Sequence, residues 1–264
     1  MEQILGSDWL ISPAGGSSGE AYLAESHQQK LFLKRNSSPF LAILSAEGIV
    51  PKLVWTKRLA NGDVITAQKW LEGRVLTKEE MKQDDVVQLI SKIHHSSEIL
   101  HLFMRMGKKP LEPWHLLVNL IEKCRKLDVI EKDDITKTVE FLSNSIGYVE
   151  NQKKVVCHAD LNHENWMLGE DHHLYLIDWD NAVIADPAMD LSMLLYQYIP
   201  REDWESWLNQ YGIELTNNLL VRFQWYKVAQ SLSYYLWHLE RNEVNEVLKW
   251  EKQLKSNQQS FINI

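Results

Sequence analysis

Apolar residues first cluster in short alternating runs. Trp9-Leu10-Ile11, Ala21-Tyr22-Leu23-Ala24 and Leu31-Phe32-Leu33-Lys34 are separated by a glycine- and serine-rich break and a polar turn. The pattern predicts three strands joined by turns. Leu41 to Glu47, after Pro39, reads as a short helix. Val50 to Trp55 and Val64 to Gly73 then face each other across Asn61-Gly62, a dipeptide suited to a tight hairpin. Beyond residue 76 the period lengthens. Thr77-Lys78-Glu79-Glu80 has the form of a capping box, and Met81, Val86, Leu89, Ile90 and Ile93 continue it as one amphipathic helix over 77–96. Further helices are predicted over 114–127, 133–146, 189–198, 201–211 and 217–240, with Gly212 as a stop. The aromatics between Trp225 and His238 have helical spacing and read as core. The last twenty residues or so read as a polar helix and tail.

Two short apolar runs interrupt the helical half. Val155-Val156-Cys157 and Leu176-Ile177 read as strands flanking a polar loop. A sheet-rich first part and a helix-rich second part predict an α+β fold. Residues 1–73 form the first lobe, with the connecting hinge at its end, and residues 74–264 form the second.

With 264 residues there is room for a sizeable core, and 45% hydrophobic with 24% charged residues is ordinary for a globular protein. The net charge of −8 argues against a nucleic-acid face spread over the surface. Two cysteines, Cys124 and Cys157, lack metal-like spacing, and Cys157 reads as a small buried filler. The opening residues carry no basic and apolar leader, and no apolar run reaches membrane-spanning length, so a cytoplasmic protein is expected without membrane or direct nucleic-acid contact. The adjacent His94 and His95 point in different directions on a helix and read as structural.

The loop between the two short strands carries the chemistry. It holds His158-x-Asp160-x-x-x-x-Asn165, and Asp178 follows thirteen residues later in Leu176-Ile177-Asp178-Trp179-Asp180. An isolated Asp-Asn pair is usually a turn or a helix cap. Here a second acidic motif and an upstream glycine turn accompany it. Phosphoryl transfer needs this set: a carboxylate to take the acceptor hydroxyl's proton, and an amide oxygen and second carboxylate to hold Mg²⁺. Asp160 is the candidate base, with Asn165 and Asp178 as candidate metal ligands. Asn162, His163 and Asp180 lie beside them as candidates for holding the acceptor.

These motifs resemble the aminoglycoside phosphotransferase/choline kinase family, whose members have a bilobal protein-kinase-like fold and phosphorylate small molecules with ATP and Mg²⁺. Ala-Asp-Leu and Asp-Trp-Asp stand where protein kinases have Arg-Asp-Leu and Asp-Phe-Gly. The resemblance implies that Gly15, Gly16, Ser17, Ser18 and Gly19 approach the ATP phosphates, although any flexible hairpin would use the same residues. It implies that Lys34 contacts the α- and β-phosphates with Glu47 as its ion partner, and that backbone groups of Lys69, Trp70 and Leu71 meet the adenine edge. His158 and Asp190 take supporting roles, Asp190 as the cap of a helix beginning near Leu191 and as a brace for the catalytic loop. Ala159 departs from the family's glycine, which matters only where positive φ is required.

Ala67 to Gly73, His163-Glu164-Asn165-Trp166 and Trp204-x-x-Trp207-Leu208 look most like the CcrZ cell-cycle regulator branch. That branch implies ribose and 2-deoxyribose kinase activity, a link to DNA-replication control and a possible protein partner in the cell-cycle machinery. Choline, ethanolamine or aminoglycoside acceptors, or a non-catalytic scaffold, are the alternatives.

Overall fold

The computed structural model describes residues 5–6, 8–14, 21–37 and 40–259. The expected glycine turn at Gly15, Gly16, Ser17, Ser18 and Gly19 lies outside them. The fold is α+β, with an antiparallel sheet in the N-terminal part and a mostly helical C-terminal part. The chain divides into two units, Met1–Leu89 with Asn162–Ala182, and Ile90–Leu161 with Val183–Ile264.

In the first unit, strands β1 (Leu10–Pro13), β2 (Ala21–Glu25), β3 (Lys30–Arg35), β4 (Leu53–Arg58) and β5 (Val64–Lys69) form one sheet in the order β1-β2-β3-β5-β4. Its pairs are all antiparallel. Successive side chains of a strand point to opposite faces. Leu31 and Leu33 of β3 therefore join Ala24 and Ala67 in a fully buried cluster, against which Leu5, Trp9, Ile11, Tyr22 and Trp55 pack. Lys34 must then point the other way. Gly62 has a φ of +92°, as the Asn61-Gly62 hairpin requires.

Helix α1 (Leu41–Ala46) follows β3, and a smaller sheet completes the unit: β6 (Gly73–Val75), β8 (Trp166–Gly169) and β9 (Leu174–Leu176), with β8 in the middle. Gly73 pairs with Gly169 across it. A Cβ on Gly73 would run into the Leu168 carbonyl oxygen, so this close approach needs glycine. This sheet draws residues 162–182 into the first unit.

The capping box expected at residue 77 is real. Thr77 N donates to Glu80 Oε2 at 2.8 Å and Glu80 N to Thr77 Oγ1 at 3.3 Å. It opens a single 3₁₀ turn, Glu80–Lys82, because Gln83 is extended. Helix α2 (Asp84–His95) starts only after it. The single helix expected over 77–96 is corrected accordingly.

The second unit contains α3 (Ser97–Arg105), α4 (Pro113–Lys126), α5 (Asp133–Asn144), α6 (Ala188–Tyr198), α7 (Trp204–Tyr211), α8 (Asn217–Glu240) and α9 (Val244–Gln259). A two-stranded antiparallel ribbon, β7 (Val155–Cys157) with β10 (Val183–Ala185), is set among them. Helix α8, about 36 Å long at 1.5 Å per residue, is apolar nearly all round. Phe223, Trp225, Tyr226, Leu232 and Tyr235 are buried, as the aromatic pattern predicted. A helix buried on every side needs neighbours on every side, and α4, α5, α6 and α9 provide them. Cys124 and Cys157 are both free and buried. Among the described residues, no helix is long and apolar enough to cross a membrane.

Candidate active site

In the first unit the site starts with Lys34. In β3 it pairs with Ala21 of β2 and Thr66 of β5, so both flanking strands fix its backbone. Its Nζ lies 2.8 Å from Asp178 Oδ1 and 2.7 Å from Asp180 Oδ2. Burial is the largest single influence on the ammonium and favours losing its proton. The hydrogen bonds and charges of Asp178 and Asp180 together outweigh it and hold the Lys34 pKa above the ordinary lysine value. The lysine side chain is only 16% exposed while the two carboxylates are about half exposed, at 50% and 46%. Buried cation and open carboxylate oxygens suit a ligand that brings both phosphate and metal. Glu47, expected as the partner of Lys34, sits half-buried past the end of the six-residue α1, with Gly48 turning the chain immediately afterwards at a φ of +70°. The lysine's ion pairs run to the two aspartates instead.

Asp178 occupies the left-handed region, with φ 61° and ψ 64°, at the head of a 3₁₀ turn over Trp179–Asn181. Asp tolerates that region better than most residues, yet such a conformation still stores strain. Trp179 clamps the turn: its ring is buried and its Nε1 donates to Leu176 O at 2.7 Å. Asn165 is brought beside it by the backbone, because Ile177 N donates to Asn165 O at 2.9 Å. Asn165 itself is buried and closes a 3₁₀ turn over His163–Asn165. Asn162 starts that turn, its side chain accepting from Glu164 N at 2.9 Å. The structure thus gives Asn162 a local capping task, and places His163 half-buried one residue on.

Of the three residues expected at the adenine edge, Lys69 N already donates to Lys52 O at 2.8 Å and Trp70 N to Lys30 O at 3.1 Å. Among the described residues, Leu71 N–H donates to no group.

In the second unit the site is the turn after β7. Asp190, fully buried, accepts from His158 N at 2.7 Å on Oδ2 and from Ala159 N at 2.8 Å on Oδ1. His94 Nε2 lies 3.1 Å from Asp190 Oδ2, and His94 Nδ1 lies 2.9 Å from Tyr211 Oη. Asp160 N donates to His158 Nδ1 at 3.3 Å, so that nitrogen carries no proton. The turn is therefore held by its backbone and by buried groups behind it.

The expectation that Asp190 caps a helix near Leu191 is corrected. Helix α6 begins at Ala188, and Asp186 Oδ1 accepts from Ala188 N at 2.9 Å. Asp186 also forms an ion pair with Arg222 of α8, whose Nε donates to Asp186 Oδ2 at 2.9 Å. Asp190 lies in the first turn, freed from capping and turned toward the amides of His158 and Ala159. Cys157, His94 and Asp190 lie close together. Both Asp190 oxygens accept from amides, and burial, then the charges of Asp190 and Asp186, push the Cys157 thiol well above its usual range.

Ala159 has a φ of +65°. This is the left-handed region where a glycine costs nothing and an alanine methyl is strained. Ala159→Gly is expected to raise stability by about 0.5–1 kcal/mol, since relief of the methyl strain exceeds the entropy glycine adds to the unfolded chain. Thermal unfolding of the variant beside the wild type checks it; a lower midpoint would show that the strain is absorbed elsewhere.

The pattern of the phosphotransferase enzyme family (APH) matches residues 9–226. The chain belongs to that family. Solved structures place this phosphotransferase in the same fold at low identity. The choline kinase LicA from Streptococcus pneumoniae superposes with a TM-score of 0.76 at 17% identity, covering 98% of this chain and 96% of that one. LicA in complex with AMP gives 0.71 at 19% identity, with 97% and 96% covered. The GDP and kanamycin complex of APH(2")-IIia gives 0.72 at 14%, with 98% and 95% covered. The phosphotransferase therefore shares its whole architecture with proteins that differ from it at more than four positions in five.

Proposed function

We propose that this phosphotransferase moves the γ-phosphoryl group of ATP to a hydroxyl of a pentose, ribose or 2-deoxyribose. The observation that carries the reading is the meeting of Lys34 with Asp178 and Asp180, separated from it by some 144 residues of chain. A lysine fixed in the middle of a sheet and set against a carboxylate in a strained turn is the equipment for holding a triphosphate and its metal.

In this reading Lys34 holds the α- and β-phosphates, the 15–19 turn covers them and Leu71 N–H meets the adenine edge. Asn165 and Asp178 offer hard oxygen donors of the kind Mg²⁺ takes, and they fit that ion. When bound, Mg²⁺ would neutralise charge growing on the γ-phosphoryl group. Asp160 orients the acceptor hydroxyl and takes its proton. His158 and Asp190 hold its turn, and Asn162, His163 and Asp180 flank the acceptor.

The pentose acceptor is supported by the resemblance of Ala67 to Gly73 and of Trp204 to Leu208 to the CcrZ branch. The same resemblance supports a role in cell-cycle and replication control through a protein partner, and the scarcity of cysteines supports a reducing, cytoplasmic setting. ADP release measured with ribose, 2-deoxyribose, choline and kanamycin tests the proposal. Turnover with a pentose is expected. Preference for choline or kanamycin would move the acceptor to that class, and no turnover with any of the four would favour a nucleotide-binding scaffold.

A further inference from the structure

Strand β5 runs antiparallel to β3, with Thr66 opposite Lys34 and Gln68 opposite Phe32. Residues two apart on a strand share a face, so Phe32 and Gln68 stand on the face that carries Lys34. They lie about 7 Å from it along the sheet, in the direction of Leu71. Leu23 of β2 pairs with Phe32 from the other side. Leu23 and Phe32 are half-buried and offer a planar base an apolar surface beside the lysine.

Gln68 is the polar group set into that surface. It is only 7% exposed, and a buried amide needs hydrogen-bond partners. Its Nε2 donates at 2.8 Å to Pro51 O, in the stretch between α1 and β4. A backbone carbonyl can only accept, so this bond fixes which way round the amide lies. Oε1 is the end left over, and among the described residues it accepts from no group. Thr66, buried on the same face, has no such surplus. Its hydroxyl donates to Lys34 O at 3.3 Å and lies 2.6 Å from Ser37 Oγ.

We propose that Gln68 selects the nucleotide base: its Oε1 accepts from the 6-amino group of adenine and opposes the 6-oxo group of guanine. The proposal rests on the reading of Lys34 as the residue that holds the phosphates. Adenine carries an N–H donor at position 6 and guanine a carbonyl acceptor. Turning the amide over to suit guanine would set Oε1 against Pro51 O, acceptor against acceptor. Pro51 thus keeps the amide in the adenine-reading sense. A glutamine that only braced Pro51 would be indifferent to the base.

Binding of nucleoside diphosphates to the full chain in the presence of Mg²⁺, read by calorimetry, tests this without an acceptor. The probes are ADP, GDP and the 5′-diphosphate of purine riboside, which keeps the ring nitrogens of adenine and lacks only the 6-amino group. Gln68→Met and Gln68→Leu both remove the oxygen, and thermal unfolding shows that each variant is folded. Loss of the 6-amino group is expected to cost the wild type about tenfold more affinity than either variant, the worth of one hydrogen bond. The preference of the wild type for ADP over GDP should shrink by at least the same factor in the variants, since the opposed oxygen goes too.

Equal binding of ADP and purine riboside diphosphate by the wild type overturns the proposal without need of a variant. An equal loss in wild type and variants overturns it as well. In both cases the phosphate-holding role of Lys34 stands, because the diphosphates still bind. Should none of the three bind, that role fails and the selection by Gln68 fails with it.

Discussion

Asp178→Asn is expected to lower acceptor-dependent ADP formation by roughly 10³-fold or more, the scale of losing a charged metal ligand in phosphoryl transfer. The fold should survive. Asp178 sits at φ 61°, and asparagine is among the few residues that occupy this region readily. Asp178→Ala removes the same charge but also forces a Cβ without a polar tip into that region, at about 1–2 kcal/mol. The two variants should therefore be equally inactive and unequally stable. Either one also strips Lys34 of a partner that raises its pKa, leaving Asp180 alone against the burial that lowers it. Circular dichroism and thermal unfolding on the preparation used for kinetics separate the effects. Near-wild-type turnover in the asparagine variant would remove Asp178 from the metal assignment.

What could be read from the sequence was whatever is written locally. The Asn61-Gly62 hairpin, the strand ending at Lys34 and the helix stop at Gly212 each follow from residues within a few positions of one another, and each is present. The buried aromatic face of α8 was legible for the same reason. The small sheet was not. Strand β8 pairs with β6, nearly a hundred residues earlier, and no local period announces it. Trp166 to Gly169 instead looked like the end of a loop. The strain at Ala159 was visible only as a missing glycine, and its φ of +65° shows that the position does adopt the left-handed region. Asp190 shows the limit of capping rules. An aspartate near a helix start has two uses; the amides of His158 and Ala159 claim this one, while Asp186 accepts from Ala188 N at the start of α6.

Asp160→Asn is expected to lower kcat by roughly 10²–10⁴, the range for a positioned general base. Mg-ATP affinity should hardly change, since the proposed role faces the acceptor. The rival account is that Asp160 merely holds a turn, and a turn-holding aspartate would be replaced by asparagine without loss. The geometry of the loop argues against that account. His158 N and Ala159 N are held by Asp190, and Asp160 contributes its own backbone N–H to His158 Nδ1. Each of these bonds is donated by a backbone N–H, and asparagine keeps the one at position 160. What it lacks is the charge and the basicity needed to take a proton. Measuring pentose-dependent ADP formation and nucleotide binding on the same protein separates the outcomes. Retained turnover would end the base assignment, and turnover lost together with nucleotide binding would move Asp160 to the metal's surroundings.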